Sequence, residues 1–174
     1  MRSDPFRCCA FMIGNLLRLP ENDLQELIED PDLLDAHLFP TSEVAISKER
    51  HLELPGVWHI LHFLLTGSEW DGEGVPAKVV LGGTPVSDED VGYRPAHYLS
   101  ALEVKEVAEA LQAISGEELW AAMDARSLRE AKLYAVDPNA CDRVKAATLS
   151  SLERVRIFYR QAAENGHAVV KYLT

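Results

Sequence analysis

Val144, Leu152, Val155, Phe158, Tyr159 and Ala162 recur at roughly 3.6-residue spacing, and no other feature of the chain narrows its fold as much. Asp137 and Pro138 introduce this segment and Gly166 stops it, which predicts the longest helix of the molecule with one apolar stripe. A helix apolar on a single side must lie on something. The segment that follows, His167 to Leu173, carries Val169, Val170 and Tyr172 and reads as a strand. A long helix feeding a final strand commits the chain to packing helices against a sheet.

The other segments fit that plan. An apolar run from Cys8 to Leu17 predicts a buried first strand. Arg2 and Arg7 ahead of it imitate a secretory signal, but Gly14 and Asn15 interrupt the run, no small-residue cleavage site follows, and a helix start comes next. Pro20 opens an acidic amphipathic helix with Leu24, Leu27 and Ile28 on one side. Asp30-Pro31 restarts a shorter one through Leu33, Leu34 and Leu38, ended by Pro40. Thr41 to Gly56 reads as a connection with room for a short strand. Val57 to Leu65 is the most apolar helix, closed by Gly67. After a polar loop, Ala77 to Leu81 reads as a buried strand ended by Gly82-Gly83, Thr84 to Val91 as a second loop, and Tyr93 to Leu99 as a strand that Pro95 holds near an edge or a bulge. Ser100 with Glu103 and Ser115 with Glu118 are capping-box pairs, and Asp124 caps a further short helix through Leu128 to Leu133. Strand, helices, a central strand pair, helices and a last strand, with no βαβ repeat, make an α+β single domain over residues 1–174.

Charge excludes one class of partner. The chain has 28 acidic and 17 basic residues among its 174, a net charge of −11, and such a field repels nucleic acid. From Leu19 to Ser47 there is no Lys or Arg, while Glu21, Asp23, Glu26, Glu29, Asp30, Asp32, Asp35 and Glu43 are all acidic. Toward the other end, Arg126, Arg129, Lys132, Arg143, Lys145, Arg154, Arg156, Arg160 and Lys171 interleave with acids, as on solvated helix faces. No stretch approaches the roughly 18 apolar residues of a membrane span. Cys8, Cys9 and Cys141 fit no zinc or redox spacing and read as small buried hydrophobes in a reducing compartment, so a soluble, cytoplasmic protein is expected.

Two clusters carry candidate chemistry. Trp58, His59 and His62 lie ahead of Thr66 and Gly67, and histidines three apart share a helix face. Two ligands are too few for a metal, and even with His51 and Glu53 upstream the spacing matches no zinc signature, so neither metal nor cofactor is expected. The alternative is two histidines packed in the core with one hydrogen bond each. The second cluster, Gly92-Tyr93-Arg94-Pro95-Ala96-His97, places a guanidinium, a phenol and an imidazole beside a strand start, where they could hold a small anionic ligand. Gly82 and Gly83 would let a ligand or another backbone approach. No nucleophile elbow occurs, and Cys141 has no local positive cluster to activate it.

The series Met12-Ile13-Gly14, Trp58-His59-x-x-His62-x-Leu64-Leu65-Thr66-Gly67, Val80-Leu81-Gly82-Gly83, Gly92-Tyr93, Tyr98-Leu99 and Phe158-Tyr159 resembles the YfbM-like family, a bacterial group of domains of unknown function. The resemblance spans nearly the whole chain. It implies one α+β domain with a mixed sheet and supplies no catalytic residues. Members often read glycine-tyrosine-glycine-proline-alanine-arginine where this chain has Gly92 to His97, so the arginine of that pattern is His97 here; if it binds an anion in relatives, either Arg94 substitutes for it or the role is lost, and a structural role is equally compatible.

Two functional readings follow. In the first, the acid-only stretch docks a basic protein partner, as adaptor or immunity-like proteins do. In the second, a small-molecule binder or enzyme has a pocket where the Trp58-His59-His62 helix meets the Gly82-Gly83 and Tyr93-Arg94 turns. A pocket requires the histidines to point into a cleft; docking requires them buried and the acidic helices exposed.

Overall fold

The computed structural model describes residues 12–39, 49–136 and 141–174. Five strands form one sheet: β1 (Ile13–Pro20), β2 (His51–Pro55), β3 (Thr84–Val91), β4 (Arg94–Leu99) and β5 (His167–Leu173), in the order β2-β1-β5-β4-β3. The helices are α1 (Glu21–Glu29), α2 (Leu34–Leu38), α3 (Trp58–Thr66), α4 (Gly74–Lys78), α5 (Ala101–Ala113), α6 (Gly116–Ala122), α7 (Ala125–Glu130) and α8 (Cys141–Glu164). This is the α+β architecture expected. The start of α8 at Asp137-Pro138, the strand residues before Met12, Cys8, Cys9 and the Pro40 helix end lie outside the described residues.

Side-chain alternation divides the core. Leu16, Leu99, Val169 and Leu173 face a layer of α3, α5 and α8, whose buried residues include Trp58, Leu61, Val107, Leu111, Val155 and Tyr159. Leu17, Leu19, Ala96, Ala168, Val170 and Tyr172 face the opposite way, onto Leu24 and Leu27 of α1 and Leu34 and Leu38 of α2. Each leucine buried in this way contributes about 1.5–3 kcal/mol. Covered on both faces, β5 has no solvent side at all, which is why its sequence is a continuous apolar run broken only by Lys171.

Local signals placed most elements. Pro20 stands at the N-cap of α1, and the Asp30 side chain accepts from the Asp32 backbone N–H ahead of a single 3₁₀ turn, Pro31–Leu33, that leads into α2. Gly67 ends α3 in the left-handed conformation at φ 73°, and Ser100 and Glu103 form the reciprocal capping box of α5. Ser115 and Asp124 cap α6 and α7.

Four expectations are overturned. Ala77 to Leu81 is not a strand: α4 begins at Gly74 and a tight turn follows it, burying Val79, Val80 and Leu81. A short apolar run fits a buried turn as well as a strand, and Pro76 sits in the first helical turn, where no backbone N–H is needed. Thr84 to Val91 is not a loop but the edge strand β3; its polarity reflects an exposed edge, with Pro85 placed where edges tolerate it. The sheet is not mixed: all four ladders are antiparallel, and the one parallel contact among the described residues is the isolated bridge between Gly92 and Leu173. Lys171 is not solvated but buried in β5. Pro95 is interior to the sheet order, yet it pairs with Asp90 beside the register shift between β3 and β4, so the bulge reading holds and the edge reading does not.

Gly14 sits where β1 passes beneath Trp58. A Cβ there would lie 2.5 Å from the Trp58 Cβ, on a helix that cannot retreat from the core. Gly14→Ala is therefore expected to cost about 1–3 kcal/mol, read as a lowered denaturant midpoint; unchanged stability would mean that α3 is free to shift.

Candidate functional site

The α3 cluster is built into the core. Trp58 is wholly buried, donates from its indole N–H to the Met12 carbonyl at 3.2 Å, and stacks on the His59 ring with centroids 4.6 Å apart. His59 uses both nitrogens. Its Nδ1 accepts from the Tyr134 backbone N–H at 2.9 Å, which leaves Nε2 to donate to the Glu69 carbonyl at 2.7 Å and fixes the neutral tautomer. His62 donates from Nε2 to the Asp71 carbonyl at 3.0 Å, while its buried Nδ1 has no hydrogen-bond partner. Both rings therefore pin the loop after α3 onto the helix. Burial is the first cause that lowers both pKa values. The Thr66 hydroxyl bonds the His62 and Ser68 carbonyls and accepts from the Ser68 N–H, closing the helix end.

Gly82 and Gly83 serve backbone packing. A Cβ on Gly82 would meet the Ala77 carbonyl oxygen at 2.7 Å, and one on Gly83, at φ 117°, the Tyr98 carbonyl oxygen at 2.6 Å. What approaches these glycines is the protein itself. The turn they close directs three of its carbonyls inward to buried donors. Tyr159 Oη donates to the Val79 carbonyl at 2.7 Å, and Lys171 Nζ donates to the carbonyls of Lys78 and Gly82. Lys78 in turn pairs with Glu103 of the α5 capping box at 2.8 Å. Burial pulls the Lys171 ammonium down to about 7.

Sequence reasoning counted Lys171 among the solvated cations and so missed it. The signal was present: a lone lysine inside Val169-Val170-Lys171-Tyr172-Leu173 cannot reach water if the strand is central.

The second cluster does come together around Lys171. His97 and Lys171 are directly opposite on β4 and β5. His97 Nδ1 donates to the Pro95 carbonyl at 3.0 Å, and Arg94 Nη2 lies 3.5 Å from His97 Nε2. Burial lowers the pKa of Arg94, and burial followed by the Arg94 charge lowers that of His97. Arg94 forms no ion pair among the described residues. Yet the cavity beside Arg94, His97 and Lys171 measures about 10 Å³, space for roughly one water. No organic ligand enters it in this conformation. Tyr93 points away, 54% exposed, and borders a surface cleft with Trp70, Asp71 and Arg94. The α3 histidines thus form a packed brace, while Arg94 lies beside a neutral His97 next to Lys171 and also borders the open cleft that Tyr93 shares with Trp70 and Asp71. Among the described residues, no three His, Cys, Asp or Glu side chains converge to hold a metal ion.

His59→Ala and His62→Ala are each expected to lower stability by about 2–4 kcal/mol, as loss of a packed ring with its bond to a buried carbonyl requires; a midpoint shift near zero for either would mean that its ring is not part of the fold. The Lys171 pKa has a sign that can be tested. With the folded value near 7 and the unfolded value at 10.5, the unfolded chain binds the extra proton between them, so stability rises with pH across that window, by at most about 1.4 kcal/mol per pH unit. Denaturant melts at pH 7 and 9 should show this gain in the wild type and lose it in Lys171→Met, which is itself less stable because two carbonyls lose their donor; equal slopes would contradict the assignment.

A model of a domain of unknown function, DUF1877, matches residues 11–172. Among solved structures, the chain is similar to the crystal structure of YfbM from Escherichia coli, a protein of unknown function. The TM-score is 0.74 at 19% identity, over 93% of this chain and 99% of that one, a likeness that establishes the fold. No curated protein matches the chain. The family match runs from the first described strand into the last, through every element that builds the sheet and both cores, and the chain therefore belongs to the DUF1877 family of domains of unknown function.

Proposed function

We propose that the chain is an interaction domain whose α1–α2 face docks a basic protein segment. The observation that carries this reading is an exposed face that combines acids with unburied apolar side chains, on helices that contain no Lys or Arg. Glu26, Glu29, Asp30, Asp32 and Asp35 are exposed. Between them Ile28 and Leu33 are each 38% exposed and Phe39 48%. None of these acids has an ion-pair partner among the described residues.

The fold does not require this composition. Leu24, Leu27, Leu34 and Leu38 already bury the inner side of both helices, so Ile28, Leu33 and Phe39 add apolar surface that the core leaves out. Unpaired like charges held close together repel one another, a cost that a cationic partner would relieve. The acidic field extends to Asp88, Glu89 and Asp90, exposed on the neighbouring edge strand β3. Phe39 is held edge-on against Tyr172 at 5.9 Å, an anchor already positioned for contact. A partner of matching chemistry is an amphipathic segment with lysines or arginines around an apolar strip.

The competing pocket reading has weaker support, because His59 and His62 are buried on backbone carbonyls and the enclosed cavity beside Arg94, His97 and Lys171 admits about one water, which leaves it only the open cleft bordered by Trp70, Tyr93 and Arg94.

Affinity capture with the wild type and with two variants tests the proposal. A partner bound at low salt should be released as salt rises, should bind at least tenfold more weakly to Glu26→Lys/Asp35→Lys, and should be lost from Ile28→Ser/Phe39→Ser. A partner that ignores both variants and the salt would overturn it.

A further inference from the structure

On the sheet face opposite α1 and α2, Arg18 presents an unexplained cost. It projects from β1 on the same side as Leu16, between the sheet and α8, and is only 8% exposed. Its backbone N–H is bonded to the Arg50 carbonyl. Among the described residues its guanidinium has neither a hydrogen bond nor an ion pair, and Nε and Nη1 are buried without a partner. An arginine cannot shed its charge, so a buried guanidinium without an acceptor is disfavoured unless something else supplies the acceptor. No carboxylate among the described residues forms an ion pair with Arg18.

The space beside it is open. Arg18, Glu49, Leu52, Arg154, Phe158 and Gln161 line a cleft of about 540 Å³, within the size range of ligand sites. Arg154, Phe158 and Gln161 are spaced four and three residues apart on α8, so they share one face of that helix and project over the end of β1 together. Arg154 donates to the Glu53 carbonyl and also lacks an ion pair among the described residues. Glu49 is the single acid in the lining, and Leu52 and Phe158 give the cleft an apolar wall.

We propose that this cleft binds a small organic oxyanion, a phosphate monoester or a carboxylate, whose charged group is held by Arg18 and Arg154 and whose apolar body lies against Leu52 and Phe158. Arginine suits the task because its planar donors match either oxyanion. The site is independent of the docking face, which lies across the sheet, and distinct from the Arg94–His97 pair.

The substitution Arg18→Met gives the proposal a signature that a structural arginine would not have. Removing an unpaired buried charge while keeping the volume should leave the ligand-free protein at least as stable as the wild type, yet abolish binding. Thermal melts and calorimetric titration with phenyl phosphate, benzoate, inorganic phosphate and neutral benzamide read both effects. Phenyl phosphate or benzoate should raise the wild-type melting temperature, and whichever binds more tightly identifies the oxyanion. Arg18→Met should weaken that probe at least tenfold. Arg154→Gln, at an exposed position, should also weaken it severalfold without changing the ligand-free stability, and it serves as the test if Arg18→Met does not fold. The proposal is overturned if neither anion binds the wild type, if benzamide binds as well as the anions, if inorganic phosphate alone binds and both variants retain it as an adventitious ion only, or if Arg18→Met is destabilised while Arg154→Gln binds normally.

Discussion

The fold hangs on an ammonium group that has no access to water. Lys171 lies on the central strand, and its Nζ donates to the Lys78 and Gly82 carbonyls, the two ends of the turn that replaces a strand in this part of the chain. Through that turn it reaches α4, through Lys78 the cap of α5, and through the neighbouring Val79 carbonyl the Tyr159 hydroxyl of α8. Three helices are thus referenced to one side chain. Burying a lysine is unfavourable by desolvation alone, and the fold tolerates it because inward-facing carbonyls without a donor would be unfavourable too. Each defect is the remedy for the other.

Much of this was legible in the sequence. The apolar stripe of α8, the caps of α5, α6 and α7, Gly67 after α3 and the valine-rich β5 all obey local rules that tertiary contacts do not override. The failures share a cause. Ala77 to Leu81 and Thr84 to Val91 were read by hydrophobicity, but burial there is decided by neighbours distant in the chain: a lysine 93 residues from Lys78 buries the first, and a sheet edge exposes the second. The site residues followed the same pattern. That His59 and His62 belong to one face was visible; that a loop carbonyl waits for each ring was not. Arg94 and His97 were found, while Lys171 and Arg18, both on strands buried by the cores, were hidden among other cations because sequence alone gives no measure of which cation reaches water.

The sheet divides the molecule into two chemically unlike sides. One carries acids and exposed apolar side chains over α1 and α2, and the other carries buried cations, Lys171 and Arg18, in the layer under α3 and α8. A net charge of −11 therefore conceals two local environments of opposite sign, and composition alone reported only the outer one. Membership of the DUF1877 family and likeness to YfbM establish the scaffold on which these environments are placed. They leave chemistry to the individual side chains.

The position of β5 has a consequence for how the chain reaches this state. It is the last strand in the sequence and the middle strand of the sheet, pairing with β1 from Gly14–Leu173 to Pro20–His167 and with β4 on its other side. Until residue 173 is available, β1–β2 and β3–β4 are two separate antiparallel pairs with unpaired inner edges, and neither core has its floor. A growing chain must hold those edges apart through the synthesis of all of α8. Folding is therefore deferred to a single late closure between segments about 150 residues apart, the arrangement in which loop-closure entropy delays assembly longest and in which exposed strand edges are most open to capture by another chain.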